Sequence, residues 1–254
     1  MITADLRGKK VLVTGAASGI GLATVGLFAE LGADAALNDL SNNARLSDEV
    51  SRLRSQGLRV IAAPGDVGDP LSAQEMVAKA AGQLGGLDYL INNAGTPGTK
   101  APIPASDLDS HSEAFWDRLL SVNLLGAFRC TRAAAPFLKI ARGAVVNVSS
   151  TAGFLSGGGS SISYAASKAA LIKMTMDLAR GLAPEVRVNA IAPGHVESSW
   201  ECRWPGQEAG AAPPKDVPLQ RVGTPADFAE VILFLCAGAA YVTGQTIRVD
   251  GGYR

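Results

Sequence analysis

Histidine and cysteine are scarce. The 254 residues hold two histidines, His111 and His195, and three cysteines, Cys130, Cys202 and Cys236. A histidine-centred catalytic triad is poorly supplied. The cysteines lie far apart, with no CxxC and no Cys/His cluster, so neither a metal site nor a disulfide framework is indicated. Reduced thiols point to a cytoplasmic protein. An excess of charge is missing too, since 23 Lys and Arg balance 23 Asp and Glu. The basic footprint of a duplex-binding protein is absent, and no nucleic-acid partner is expected. There is one long uncharged run, "VLVTGAASGIGLATVGLFA" (11–29), preceded by Arg7, Lys9 and Lys10. A signal peptide or membrane span would have this form. Gly15, Gly19, Gly21 and Gly26 dilute it, however, and the same residues fit a strand, a tight turn and a helix. No membrane association is expected.

Core formers are abundant: 47% of the residues are hydrophobic and 18% charged. Short apolar runs alternate with longer helical patterns. Strands are predicted at 10–15, 34–39, 59–64, 87–92, 143–149, 186–193 and 245–251. Helices are predicted at roughly 19–31, 43–56, 70–84, 112–139, 163–182 and 225–236. Such alternation means βαβ units and a parallel sheet covered on both faces. The predicted fold is α/β, a Rossmann-type doubly wound parallel sheet of about seven strands flanked by helices, in a single domain spanning 1–254. Two segments break the alternation. One is "TPGTKAPIPASDLDS" (96–110). The other is 195–219, with Trp200, Trp204 and four prolines. Both follow strands at the end where ligands of such sheets bind, so both are candidate walls or lids of a substrate pocket.

"TGAASGIG" (14–21) joins the first strand to the first helix. Glycines let the backbone approach a pyrophosphate, and the helix N-terminus offers free N–H groups. The spacing is G-x-x-x-G-x-G, and alone the segment also reads as a plain glycine-rich turn. Asp39 closes the second strand, where a carboxylate can accept hydrogen bonds from both adenosine ribose hydroxyls. It could equally cap the following helix. No Arg or Lys in the turn stands ready for a 2′-phosphate, which favours NAD(H) while leaving NADP(H) possible. "GDV" (65–67) and "NNAG" (92–95) end the third and fourth strands. In "SYAASKAAL" (163–171), Tyr164 and Lys168 lie four residues apart, on one face of a predicted helix.

The order of "TGAASGIG", "NNAG", Asn123 in "SVNLLGAF", "VNVSSTAG", "YAASK", "VRVNAIAPG" and "VTGQTIRVDGG" resembles the classical short-chain dehydrogenase/reductase family, nearly end to end. The resemblance implies a catalytic group of Asn123, Ser150, Tyr164 and Lys168. Tyrosine exchanges a proton with the substrate oxygen. Lysine holds the nicotinamide ribose and acidifies the tyrosine, serine hydrogen-bonds the substrate oxygen, and asparagine supports a water leading to the lysine. A free tyrosine has a pKa of about 10, and lowering it by ~3 units takes ~4 kcal/mol of differential stabilisation, within reach of a nearby cation. The implied cofactor residues are Gly15, Ser18, Gly19, Ile20, Gly21, Asp39, Asp66, Val67, Asn93, Ala94, Gly95, Tyr164, Lys168, Pro193, Gly194, Val196 and Ser198.

The chain departs from the family pattern in places. Ser150 precedes Tyr164 by fourteen residues where thirteen is commoner, and Thr151 stands at thirteen. Alignment from the strand side selects Ser150, with the extra residue in "FLSGGGSS". The segment from Gly95 to Asn123 is long for the family. Ser198 stands where threonine is common. His195 is either a substrate contact or a loop residue. The expectation is a cytoplasmic, homotetrameric, NAD-dependent oxidoreductase interconverting a secondary alcohol and a ketone on a small-molecule substrate. An NADPH-linked reductase of 3-oxoacyl thioesters on acyl carrier protein is the first alternative. A non-catalytic dinucleotide-binding sensor or scaffold is the second.

Overall fold

Runs rich in Val, Ile, Leu and Ala become strands buried on both faces. The computed structural model describes residues 4–156, 159–197 and 215–253. Its strands are β1 (Lys10–Val13), β2 (Asp34–Asp39), β3 (Val60–Pro64), β4 (Tyr89–Asn92), β5 (Ala144–Val148), β6 (Arg187–Pro193) and β7 (Thr246–Val249). They form one parallel sheet in the order β3-β2-β1-β4-β5-β6-β7. The chain winds outward from β1 in one direction and from β4 in the other. A crevice therefore opens at the carboxyl ends of β1 and β4.

Alternation along each strand splits the core in two. Val11 and Val13 face one layer and Leu12 the other; Ala35 and Leu37 oppose Ala36, and Tyr89 and Ile91 oppose Leu90. The first layer is closed by α1 (Gly19–Glu30), α2 (Ala44–Ser55) and α7 (Pro225–Leu233). The second is closed by α3 (Pro70–Leu84), α5 (Ala127–Ala141) and α6 (Ile162–Leu182). Residues 11–29, the long uncharged run, are thus β1, a turn and most of α1. Among the described residues, no helix is long and apolar enough to cross a membrane.

The predicted helix 112–139 is three elements. α4 (Glu113–Leu120) runs into a π-helical turn, Ser121–Gly126, and α5 follows. Asn123 sits inside the wide turn, which periodicity does not encode because the apolar spacing barely changes across it. The predicted helix 225–236 likewise ends in a π-helical turn, Phe234–Gly238. Of the two candidate pocket loops, 96–110 is irregular and tied down. The Ser160 hydroxyl donates to the Pro97 carbonyl at 3.0 Å, and the Ile103 N–H to the Ser160 carbonyl at 2.9 Å. Most of 195–219, with Trp200 and Trp204, lies outside the described residues.

Two glycines test this packing. A Cβ at Gly143 would fall on the Asp88 carbonyl oxygen, where β5 begins beside the turn before β4. One at Gly26, inside α1, would meet nothing within 4 Å. Gly143→Ala is expected to destabilise by about 2 kcal/mol or more, as backbone must shift. Gly26→Ala is expected to stabilise by about 0.5–1 kcal/mol. Chemical denaturation of both variants checks the signs.

Candidate active site

The turn after β1 is built to bring backbone close to backbone. Gly15 has φ +61°, and a Cβ there would lie 2.8 Å from Ala94 Cα. A Cβ on Gly21 would lie 2.5 Å from the Gly15 carbonyl oxygen and 2.6 Å from Asn93 Nδ2. Only glycine fits either place. Asn93 Nδ2 donates to the carbonyls of Thr14 and Gly15, both at 2.9 Å. The Thr14 hydroxyl accepts from the N–H groups of Asn93 and Ala94 at 3.0 Å each. Thr14, absent from the predicted site residues, therefore locks the two loops of the crevice together. Its only sequence signal was its place before Gly15.

At the head of α1, Ser18 is the N-cap, but its side chain caps nothing. The first intrahelical bond runs from the Leu22 N–H to the Ser18 carbonyl. The amides of Gly19, Ile20 and Gly21 thus lie at the helix end without backbone partners among the described residues, with the positive end of the helix dipole behind them. Asp39, at the end of β2, accepts from the Ala17 N–H at 3.2 Å, the Leu40 N–H at 2.8 Å and Asn43 Nδ2 at 2.9 Å. It is not a helix cap; that role falls to Asn43, which accepts from the Arg45 N–H. Asp66 folds over its own loop, accepting from the Gly68 N–H at 2.7 Å, and Val67 beside it is buried. An uncapped helix end, a turn no Cβ can enter and a carboxylate at the next strand end together fit a dinucleotide laid across the crevice.

The four predicted catalytic residues converge from the other side. Asn123 is fully buried; its Oδ1 accepts from the Thr96 N–H at 2.8 Å, and its Nδ2 donates to the Thr96 carbonyl at 3.0 Å and to Ser167 Oγ at 3.2 Å. The wide turn is thereby pinned both to the loop after β4 and to α6. Ser150 leads β5 into a single 3-10 turn, Thr151–Gly153, and its Oγ accepts from the Ala152 N–H at 3.2 Å. Thr151 is buried whereas Ser150 is only partly so. Ser149 Oγ donates to the Lys168 carbonyl at 2.8 Å, stitching the end of β5 to α6.

Tyr164 stands in the first turn of α6, which Ser161 caps by accepting from the Tyr164 N–H at 3.0 Å. Its ring packs with Leu119, Ala152, Phe115 and Ala165. Lys168, one turn on, is 3% exposed. Its Nζ donates to the Val148 carbonyl at 2.9 Å and lies 5.8 Å from the Tyr164 ring centroid. Burial pushes its ammonium down to about 8, which leaves it the cation at pH 7. Among the described residues, no carboxylate pairs with it. A buried ammonium with one of its three N–H bonds made among the described residues and a phenol beside it can bias that phenol toward phenolate and hold a polar ligand atom.

At the end of β6, a Cβ on Gly194 would lie 2.8 Å from Asp250 Cβ. Val196 forms an isolated bridge to Gly223 through its neighbours, with the Gly223 N–H on the His195 carbonyl and the Glu197 N–H on Gly223. The amide and carbonyl of Val196 itself therefore point to the other side. Pro193 ends β6, Gly95 lies in the loop after β4, and Ser198 falls outside the described residues. His195 packs edge-on to Tyr253, with ring centroids 5.2 Å apart. Among the described residues, no group of three His, Cys, Asp or Glu could hold a metal ion. Burial pushes the Cys130 and Cys236 thiols up to about 12, so neither is a nucleophile near neutral pH.

Known proteins are similar to this chain in sequence and fold. A family model described as enoyl-(acyl carrier protein) reductase matches residues 15–254. The 3-oxoacyl-[acyl-carrier-protein] reductase of Thermotoga maritima is 39% identical over 250 residues, covering 97% of this chain and 98% of that protein. The cis-4-hydroxycyclohexanecarboxylate dehydrogenase of Sinomonas cyclohexanicum is 38% identical over 246 residues, covering 95% of each. The crystal structure of a 3-oxoacyl-[acyl-carrier protein] reductase from Brucella melitensis with bound NAD superposes with a TM-score of 0.85 at 36% identity, over 100% of this chain and 96% of that one. A short-chain dehydrogenase of Burkholderia cenocepacia in complex with NADP gives 0.84 at 32% identity, over 98% and 99%. With the doubly wound sheet and the crevice built for a dinucleotide, these likenesses mean that the chain belongs to the short-chain dehydrogenase/reductase family, enzymes of NAD(P)-dependent hydride transfer between CH–OH and C=O groups.

Proposed function

We propose that the protein is an NAD-linked dehydrogenase of a secondary alcohol, working reversibly on a small to medium, largely uncharged substrate. The observation that carries the reading is the Lys168 ammonium, buried, bonded to one carbonyl and 5.8 Å from the Tyr164 ring. The dinucleotide supplies the hydride acceptor or donor. The amides of Gly19, Ile20 and Gly21 would receive its pyrophosphate, Asp39 its adenosine ribose, and the Lys168 ammonium its nicotinamide ribose. Val67 and the stretch from Asn93 to Gly95 would line the crevice between, and Val196 would offer its backbone to the carboxamide.

In alcohol oxidation, Tyr164 takes the hydroxyl proton while Ser150 Oγ–H holds the same oxygen in line. In reduction the phenol returns the proton. Lys168 favours the phenolate electrostatically throughout. Asn123 holds the wide turn against Thr96 and α6, at the place where a water could relay protons from Lys168 to solvent.

The likeness to the Thermotoga reductase sustains the alternative of a 3-oxoacyl-thioester reductase. The full Asn–Ser–Tyr–Lys set argues against a sensor or scaffold, which has no use for it. Turnover with NAD across cyclic alcohols, polyols, steroids and 3-hydroxyacyl thioesters separates the three readings. A cytoplasmic homotetramer is the proposed assembly. Leu125 and Phe128 on the wide turn and α5, and Met176 on α6, are exposed apolar side chains that such packing would cover. A mass of four chains by light scattering is expected, and a monomer at working concentration would refute it.

Tyr164→Phe removes one hydroxyl and little volume. It is expected to cut turnover by about 10²–10⁴-fold with NADH binding kept, the typical worth of one general acid–base group. Ser150→Ala should cost more than about tenfold and Thr151→Ala little. Lys168→Met should weaken cofactor binding and shift the rise of oxidation rate to higher pH, because the phenol loses its cation. Steady-state pH–rate profiles and cofactor fluorescence read all four variants. Tyr164→Phe retaining a tenth of the parent rate would exclude it as the proton donor.

NAD is expected to exceed NADP by at least about tenfold in kcat/KM. A 2′-phosphate would meet the Asp39 carboxylate, and two unit charges about 4 Å apart repel by about 4 kcal/mol at an effective dielectric near 20; half of that suffices. Asp39→Ala should narrow the gap. Equal activity with NADP in the unaltered protein would remove Asp39 from the cofactor role.

A further inference from the structure

The guanidinium of Arg129, in the first turn of α5, pairs with no carboxylate among the described residues. Its Nη1 lies instead 2.8 Å from the Gly68 carbonyl, 3.3 Å from that of Val67, 3.1 Å from that of Ser121 and 3.1 Å from Ser121 Oγ. Two N–H bonds are thus shared over four oxygens. Ser121 Oγ donates in turn to the Gly68 carbonyl at 2.8 Å. Bonds from a charged donor are stronger than those from neutral ones, so this is a firm tie.

The oxygens belong to two segments far apart in sequence. Val67 and Gly68 leave β3 at the adenosine end of the crevice. Ser121 opens the wide turn that carries Asn123. The two segments also pack tightly. A Cβ on Gly126 would lie 3.0 Å from Val67 Cγ2, and one on Gly68 would lie 3.2 Å from Val122 Cγ2. A π-helical turn bonds its backbone less well than an α-helix, and its carbonyls gain from an outside donor.

We propose that Arg129 is a positioning residue for the reaction, acting through two contacts it makes at once. Through Ser121 it holds the wide turn, and so the Asn123 amide on Thr96 and Ser167. Through Val67 and Gly68 it holds the rim against which the adenosine half of the dinucleotide rests. It touches neither substrate nor cofactor. The proposal rests on the reading of Asn123 and Val67 as site residues.

The test is a double-mutant cycle. Arg129→Met and Arg129→Lys are made alone and in an Asn123→Ala background, and kcat and the KM for NAD are measured with thermal melts. Arg129→Met alone is expected to lower kcat about tenfold and raise the KM for NAD about tenfold, the scale of small misplacements in a site. Arg129→Lys should recover part of both. In the Asn123→Ala background, Arg129→Met should cost no further kcat yet still raise KM, since its effect on rate passes through Asn123. Equal loss of kcat in both backgrounds, or a lowered melting temperature with kcat and KM unchanged, overturns the proposal. An unaltered kcat in Asn123→Ala alone refutes the catalytic reading of Asn123 and the kcat half of this proposal with it; the KM half then stands or falls on Arg129→Met alone. Should Arg129→Met fail to fold, Arg129→Lys and Ser121→Ala carry the same comparison.

Discussion

A parallel sheet that reverses its winding direction must open between the two strands where it does so. Here those strands are β1 and β4, and everything at the site depends on how the opening is held. One threonine hydroxyl and one asparagine amide hold it. Thr14 accepts from two successive N–H groups beyond β4, and Asn93 donates to two successive carbonyls beyond β1. These are side chain–backbone bonds, where the sheet's own ladder has ended. They satisfy groups that an open crevice would otherwise leave bare, and they fix its width. The glycines at 15 and 21 follow from that width, because the loops then lie too close for any Cβ.

The second constraint is electrostatic. Taking an ammonium out of water is costly, and Lys168 is buried without a counter-ion among the described residues. One carbonyl, that of Val148, offsets part of the cost. The remaining deficit makes the site receptive to hydroxyls and to a neighbouring negative charge. The same deficit that lowers the affinity of Lys168 for its proton thus prepares it to hold a ribose and to favour a phenolate. The placement is rigid because the end of β5 and α6 are tied by the Ser149 hydroxyl on the Lys168 carbonyl. Deeper in the second layer, Asn92 Nδ2 donates to Asn147 Oδ1 and Asn147 Nδ2 to Thr175 Oγ1, linking β4, β5 and α6 through fully or almost fully buried groups. A polar chain of this kind tolerates only one register of the elements it joins.

Much of this architecture is legible in the sequence. The short apolar runs predicted seven strands, and each is present within about two residues of its predicted bounds. Asp39 at a strand end, the glycine turn and the Tyr164–Lys168 spacing were equally readable, because they are local: strand, turn or one helical turn brings each into place. Thr14, Thr96, Ser149 and Ser167 were not. They are ordinary small polar residues whose importance lies in partners 19 to 80 positions away.

By itself the sequence determined the class of fold and the layering of its core, since apolar runs, helical periods and glycine placement act over a few residues. Tertiary structure alone decided the rest. Nothing in the periodicity of 112–139 marks the wide turn at Ser121–Gly126, yet that turn aims Asn123, and its outside partners, Thr96, Ser167 and Arg129, are brought near only by folding. The depression of the Lys168 ammonium is likewise invisible in "YAASK". A lysine in an isolated helix is solvated; the depression comes from the layers of protein that the completed fold packs around it.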